Sequence, residues 1–135
     1  MPRPARPRGI TALSLFFALG SLMAFIATVS LLFPGSFLEP MWQLNPRART
    51  AFATMGIWAP ALLSAVSAAC AAAACGLWRG RRWGYYVAAG LLVVNLLGDT
   101  VNVVLGTEPR AIVGIPIVAL LLFYLSRPKV RRYLT

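Results

Sequence analysis

Histidine is absent from the sequence, and only three of the 135 residues are Asp or Glu. Without histidine, the chain cannot build the Ser-His-Asp or Cys-His sites of nucleophilic catalysis. It also lacks a glycine-rich phosphate loop after a strand. Because no credible pair of base and nucleophile remains, we expect that the protein is not an enzyme and has no catalytic or cofactor-binding residues.

The sequence is also poor in cysteine, with Cys70 and Cys75 inside one apolar run. Five residues apart on a helix, the two side chains point in different directions, which excludes a disulfide between them. A structural zinc site needs four nitrogen or sulfur ligands, and the Cys-x-x-Cys spacing of thiol oxidoreductases is missing. We therefore expect no metal site and two buried, unreactive thiols.

Charged residues make up only 12% of the chain, against about 25% in soluble domains. Hydrophobic residues make up 59%, which indicates an integral membrane protein. The net charge of +10 would suggest nucleic-acid binding in a soluble protein. Here the basic residues lie in short clusters between apolar runs, so we interpret them as topology signals and contacts with anionic headgroups of the lipid bilayer. We expect no nucleic-acid partner.

Four apolar runs predict four transmembrane helices, at residues 10–33, 51–78, 84–105 and 109–126. The first run holds 24 uncharged residues, more than the roughly 20 that cross a bilayer. It is too long for the hydrophobic region of a signal peptide and ends without a cleavage motif, so we expect a retained anchor. Short connections after the second and third runs favour antiparallel neighbours. The sequence thus predicts one all-α domain over residues 1–135, an up-down four-helix bundle.

The basic residues are distributed unevenly over the predicted loops. Ten of the 13 lie in the N-terminal segment, the loop of residues 79–82 and the C-terminal tail. The opposite loops hold Arg47, Arg49 and Arg110. The positive-inside rule therefore predicts that both termini are cytoplasmic. Trp42 and Trp58 are expected in the aromatic belt of the opposite interface.

Three polar residues share one side of the third predicted helix, because Asn95, Asp99 and Asn102 are spaced four and three apart. At hydrocarbon depth a carboxylate costs roughly 2.5 to 3.5 kcal/mol, so Asp99 must face the bundle and find a partner or take up a proton. Arg49 and Arg110, at the starts of neighbouring helices, are candidate partners. Two interpretations stay open: an interhelical clamp that fixes packing, or a proton or cation site.

The second predicted helix carries small residues at four-residue intervals, in the rows Ala61-Ala65-Ala69-Ala73 and Ser64-Ala68-Ala72-Gly76. Such rows let helices approach closely, either inside the bundle or at a homo-oligomer interface.

The turn after that helix contains Arg79, Arg81 and Arg82 between Trp78 and Trp83. Guanidinium groups flanked by interfacial tryptophans are typical of contact with anionic lipid headgroups. The positive-inside rule explains the same charges equally well.

The layout resembles that of small four-span bacterial inner-membrane proteins of uncharacterised function. The residues that carry this resemblance are Phe37-Leu38-Glu39-Pro40 to Leu44-Asn45-Pro46 in one loop, Gly76-Leu77-Trp78-Arg79 with Arg82-Trp83-Gly84 at the next turn, and Asn95 to Asn102. The resemblance implies a bacterial cytoplasmic (inner) membrane location, and it assigns no activity to any residue.

Two functions fit these observations. The first is a non-enzymatic integral membrane protein that acts as a structural, accessory or partner-binding unit, with a second copy or another membrane protein as its partner. The alternative is a minimal proton- or cation-coupled transporter or channel component that uses Asp99. A water-filled cavity beside Asp99 would favour transport, whereas an arginine against it would favour a clamp.

Overall fold

The computed structural model describes residues 5–35, 37–44, 46–106 and 111–134, and these residues form helices and turns without a β-strand. A short 3-10 helix spans Glu39–Leu44. The α-helices in chain order are α1 (Arg8–Leu32), α2 (Pro46–Met55), α3 (Trp58–Trp78), α4 (Arg82–Leu105), α5 (Ala111–Leu125) and α6 (Pro128–Tyr133). The predicted all-helical class is confirmed.

Three helices are long and apolar enough to cross a membrane, namely α1, α3 and α4. At 1.5 Å per residue, the 24 residues of α4 extend about 36 Å, more than the ~30 Å of a hydrocarbon core. The apolar helix α5 has 15 residues and extends only about 22 Å. Residues 109 and 110 of the predicted fourth span lie outside the described residues, so a four-span bundle stays a prediction.

The apolar run predicted as one helix over residues 51–78 is divided into α2 and α3. Between them Gly56 has a φ of +62°, a left-handed conformation that ends a helix and that glycine adopts without strain. Helix α3 then begins at Trp58, with Pro60 in its first turn, where no helical partner is needed for the missing N–H. The run looks continuous in the sequence because Met55, Gly56 and Ile57 carry no charge.

Helices α1 and α3 pack along their lengths and are joined at their middles by two serines. The Ser21 hydroxyl donates to the Ser67 carbonyl at 2.8 Å, and the Ser67 hydroxyl donates to the Ser21 carbonyl at 2.9 Å. Gly20 lies beside this crossing, where an added Cβ would be 3.7 Å from the Cys70 sulfur. Small side chains therefore bring the two backbones close, as expected for membrane helices.

The turn between α3 and α4 brings the two helix backbones into close contact. Arg81 N–H donates to the Gly76 carbonyl at 2.8 Å and Gly80 N–H to the Leu77 carbonyl at 3.1 Å, the two bonds of a Schellman motif. Gly80 provides the left-handed φ of +68° that this motif requires. Gly76 and Gly84 face each other so closely that a Cβ on either would collide with the backbone of the other.

The best-packed part of the molecule lies at this turn, where both ends of the described chain also arrive. The Tyr124 ring packs on Gly9, and the Tyr133 hydroxyl donates to the Trp78 carbonyl at 3.2 Å. We call this the terminal end. Its buried apolar residues are Ile10, Leu13, Leu77, Ala88, Leu125, Val130 and Leu134. The opposite end, which carries the segment between α1 and α3, is called the loop end.

Candidate functional site

The polar stripe lies on the half of α4 that points toward the loop end. The buried residues of α4 are Gly84, Ala88 and Leu92, all in the first half of the helix. Beyond them Asn95 is exposed, and Asp99 and Asn102 are half-buried. The stripe is therefore on a part of α4 that the described helices cover incompletely.

Asp99 points toward α5, where its carboxylate lies against Gly114. A Cβ on Gly114 would be 2.5 Å from Oδ2 of Asp99, so any larger residue there would force the carboxylate to move. Within the described residues, no hydrogen bond or ion pair involves Asp99. The Asp99 carboxylate thus packs against the backbone of α5 at Gly114.

Of the two candidate partners of Asp99, the structure describes only Arg49, and that residue pairs with a different carboxylate. Arg49 forms an ion pair with Glu39, with 2.5 Å between Nη1 and Oε1. Arg110 falls outside the described residues. Glu39 is at the start of the 3-10 helix and only ten positions before Arg49, which makes it the nearer carboxylate. The sequence reasoning left Glu39 without a partner and so missed this pair.

Trp42 organises the loop end, and the sequence reasoning also missed this role. Its indole Nε1 donates to the Ser30 hydroxyl at 2.7 Å, and both residues are buried. The ring of Phe52 meets it edge-on, with centroids 5.9 Å apart, and the Arg49 guanidinium lies 5.8 Å from the Trp42 ring centroid. Trp42 was expected in the aromatic belt, a position that stays a prediction, and in the structure its side chain anchors the loop to the end of α1.

The predicted lipid-contact arginines, Arg79, Arg81 and Arg82, are all exposed. Arg82, at the start of α4, lines a cavity of about 250 Å³ together with Tyr85, Tyr86, Arg131 and Leu134. The cavity is thus lined both by Arg82, one of the predicted lipid-contact residues, and by Arg131 of the C-terminal segment. Their separation along the sequence does not predict that they lie together.

The cysteines differ in environment. Cys70 is buried and Cys75 is exposed, and both are free thiols. The expectation that both would be buried is therefore wrong for Cys75, which lies on the outward side of α3. No group of three or more Cys, Asp or Glu residues that could hold a metal ion occurs in the part of the chain that the structure describes.

Comparison of the chain with protein-family models, curated proteins and solved structures finds no match. Arguments about function therefore rest on the contacts of its own residues.

Proposed function

We propose that the protein is a non-enzymatic membrane protein that acts by binding a second membrane helix through the second half of α4. The observation that carries this proposal is the exposed amide of Asn95. Around it lie further exposed residues of α4, which we call the Asn95 face: Val94, Asn95, Gly98, Val101 and Leu105. The proposal commits to a second copy of this chain as the partner.

The depth of Asn95 makes its exposure costly in lipid. Asn95 is 13 residues beyond Arg82, about 20 Å along the axis of α4. In the hydrocarbon region no water is present to bond its amide. No hydrogen bond of Asn95 to another described residue occurs. A neighbouring helix that supplies those bonds would therefore be favoured over lipid.

Gly98 makes close approach to this face feasible. It is exposed one helical turn from Asn95, and a Cβ placed on it would meet nothing within 4 Å. A facing helix can therefore reach the α4 backbone at Gly98. Val94 and Val101, 68% and 53% exposed, give apolar surface on either side for packing.

The chemistry of the amide favours a second copy as the partner. An asparagine amide has both a donor and an acceptor, so two Asn95 side chains can pair with each other across a two-fold axis. Asp99 is turned toward Gly114 on α5, which keeps the two carboxylates of such a dimer away from the axis. No residue of opposite charge is required from the partner.

The test measures association of the purified chain, labelled for energy transfer, as it is diluted with lipid in vesicles. Asn95→Val should weaken dimerisation about threefold to tenfold, the range expected for interhelical hydrogen bonds in membranes. Thr100→Val is the matched control. Its hydroxyl is also exposed on α4 but bonds to the Leu96 carbonyl of its own helix at 2.7 Å, so dimerisation should not change. A wild-type chain that stays monomeric at high protein-to-lipid ratio would overturn the second-copy proposal.

A second candidate function, proton- or cation-coupled transport through Asp99, is favoured by one observation. The Asp99 carboxylate contacts α5 at Gly114, two residues before the helix-interior Pro116, which leaves the Ile112 carbonyl without its usual helical donor. An ionisable group beside an interrupted helix is a common arrangement of transport sites. This function requires a wild-type flux in vesicles that Asp99→Asn abolishes while dimerisation stays intact.

A further inference from the structure

A basic cavity at the terminal end is separate from the Asn95 face and has a different chemistry. Two guanidinium side chains line it, Arg82 from the start of α4 and Arg131 from α6. An adjoining cavity of about 470 Å³ shares Arg82, Arg131 and Leu134 with it and adds Pro128 and Arg132. Arg82 and Arg131 therefore line both cavities, and Arg132 lines the second.

The short helix α6 is held in place, so the position of Arg131 is fixed by packing. Val130 and Leu134 on either side of it are buried, at 1% and 3% exposed. Tyr133 donates to the Trp78 carbonyl, and its ring lies over Gly80 in the α3–α4 turn. The contacts of α6 with the turn thus align Arg131 with Arg82.

No carboxylate neutralises these arginines within the described residues. The two acidic residues that the structure describes are Glu39, paired with Arg49, and Asp99, lying against Gly114. Both belong to the opposite half of the molecule. The positive end of the α4 dipole also lies at Arg82 and adds to the favourable potential for an anion.

The remaining lining residues suit a lipid headgroup. Tyr85 and Tyr86 provide hydroxyl donors, and Tyr86 is 69% exposed at the rim. Tyrosines are typical of the interface between membrane and water. The volume of about 250 Å³ is below the ~300 to 1,000 Å³ of sites that enclose a whole small molecule. A headgroup fits inside, while acyl chains stay in the bilayer.

We infer that this cavity binds the phosphate ester of an anionic phospholipid, with Arg82 and Arg131 on the phosphate oxygens and the tyrosine hydroxyls on the rest of the headgroup. Arginine binds phosphate through paired N–H donors, which gives geometric selectivity beyond simple charge. A free phosphate ion has the same oxygen chemistry, so the experiment includes it as a separate probe. The inference does not depend on the function proposed for Asn95.

The test titrates the full chain in detergent with short-chain phosphatidylglycerol, with phosphatidylcholine of equal chain length, and with inorganic phosphate. The wild-type chain should bind phosphatidylglycerol about tenfold more tightly than phosphatidylcholine, and Arg82→Gln with Arg131→Gln should abolish that difference. The matched control, Arg127→Gln with Lys129→Gln, also removes two positive charges, one directly before α6 and one within it. Neither of these residues lines the cavities, so the preference should stay within about threefold of wild type.

If both double variants lose the preference for phosphatidylglycerol equally, the inference is overturned, because general surface charge would then explain the binding. No loss in either would overturn it as well. Displacement of the lipid by millimolar inorganic phosphate would support the anion site and assign it to the phosphate group alone, whereas absence of displacement would support recognition of the whole headgroup. If the double variant loses helical content, the single Arg131→Gln, which leaves α4 unchanged, should still weaken phosphatidylglycerol binding about threefold.

Discussion

The indole N–H of Trp42 donates to the hydroxyl of Ser30, and this 2.7 Å bond joins the segment after α1 to the last turn of α1 itself. Ser30 is fully buried, with 0% of its surface exposed. The bond therefore satisfies two polar groups that water does not reach. It attaches Trp42 to α1 within a segment, residues 34–46, that contains three prolines and one glycine.

Removing one partner of this hydrogen bond should lower the free energy of unfolding more than removing both partners. Ser30→Ala leaves the Trp42 N–H buried without an acceptor, and Trp42→Phe leaves the hydroxyl without its donor. Each should lower the free energy of unfolding by about 1 to 3 kcal/mol. The double variant should cost less than the sum of the two, because they share one interaction. Unfolding in detergent, followed by circular dichroism, measures all three, and additive losses would show that the bond does not contribute.

The contact between Gly76 and Gly84 predicts a large effect from a single methyl group. Gly84→Ala should lower the free energy of unfolding by about 1 to 3 kcal/mol, because the backbones must separate to admit the new Cβ. Gly90→Ala, on the same helix, is the control. A Cβ there would meet nothing within 4 Å, and alanine is favoured over glycine in a helix by about 0.5 to 1 kcal/mol. Gly84→Ala should therefore lower the free energy of unfolding, whereas Gly90→Ala should raise it. Equal effects of the two variants would contradict the close contact of α3 and α4.

The packing of Asp99 against Gly114 can be tested by adding a methyl group at residue 114 and then removing the carboxylate of residue 99. Gly114→Ala should destabilise the α4–α5 pair, because the new methyl group would overlap the carboxylate. Asp99→Ala in the same chain should restore most of the lost stability, by about 1 kcal/mol or more, since it removes the overlapping group. Asp99→Asn, which keeps the size of the side chain, should not restore it. Rescue by both variants alike would mean that the charge of Asp99, and not its shape, determines the contact.

The orientation predicted from the basic residues is open to a direct test. A reporter that is active only in the cytoplasm should be active when fused after the last residue and inactive when inserted within residues 37–44. The reason is the asymmetry of ten basic residues against three. Activity at the second site and none at the first would reverse the predicted topology.

The helices could be predicted from hydropathy because α1, α3 and α4 are long and apolar. Basic clusters mark only their limits at the terminal end. The predicted span 84–105 differs from α4 by two residues at its start. Hydropathy contains no information about backbone conformation, so the left-handed Gly56 that divides the second run was not foreseen. The 3-10 helix and α6 were not foreseen either, because each is only six residues long.

The sites were predicted less well than the helices. The spacing of Asn95 and Asp99 predicted a shared side of one helix, and both residues lie on α4. Which neighbour faces Asp99 depends on how α4 and α5 pack. Arg49 was predicted as a candidate partner of Asp99, whereas in the structure it forms an ion pair with Glu39. Arg82 and Arg131 are brought together because α6 packs on the α3–α4 turn. This tertiary contact cannot be predicted from the sequence around either arginine.

Trp78 receives both ends of the described chain: the Arg6 guanidinium lies 3.7 Å from its ring centroid, and Tyr133 bonds to its carbonyl oxygen. During synthesis the contact of Arg6 must therefore wait until α3 has been made, and the contact of Tyr133 until α6 has been made. Helices α1 and α3 can associate as a pair in the membrane before α6 is synthesised. The contacts of Trp78 thus form in a fixed order, and the bond from Tyr133 forms last.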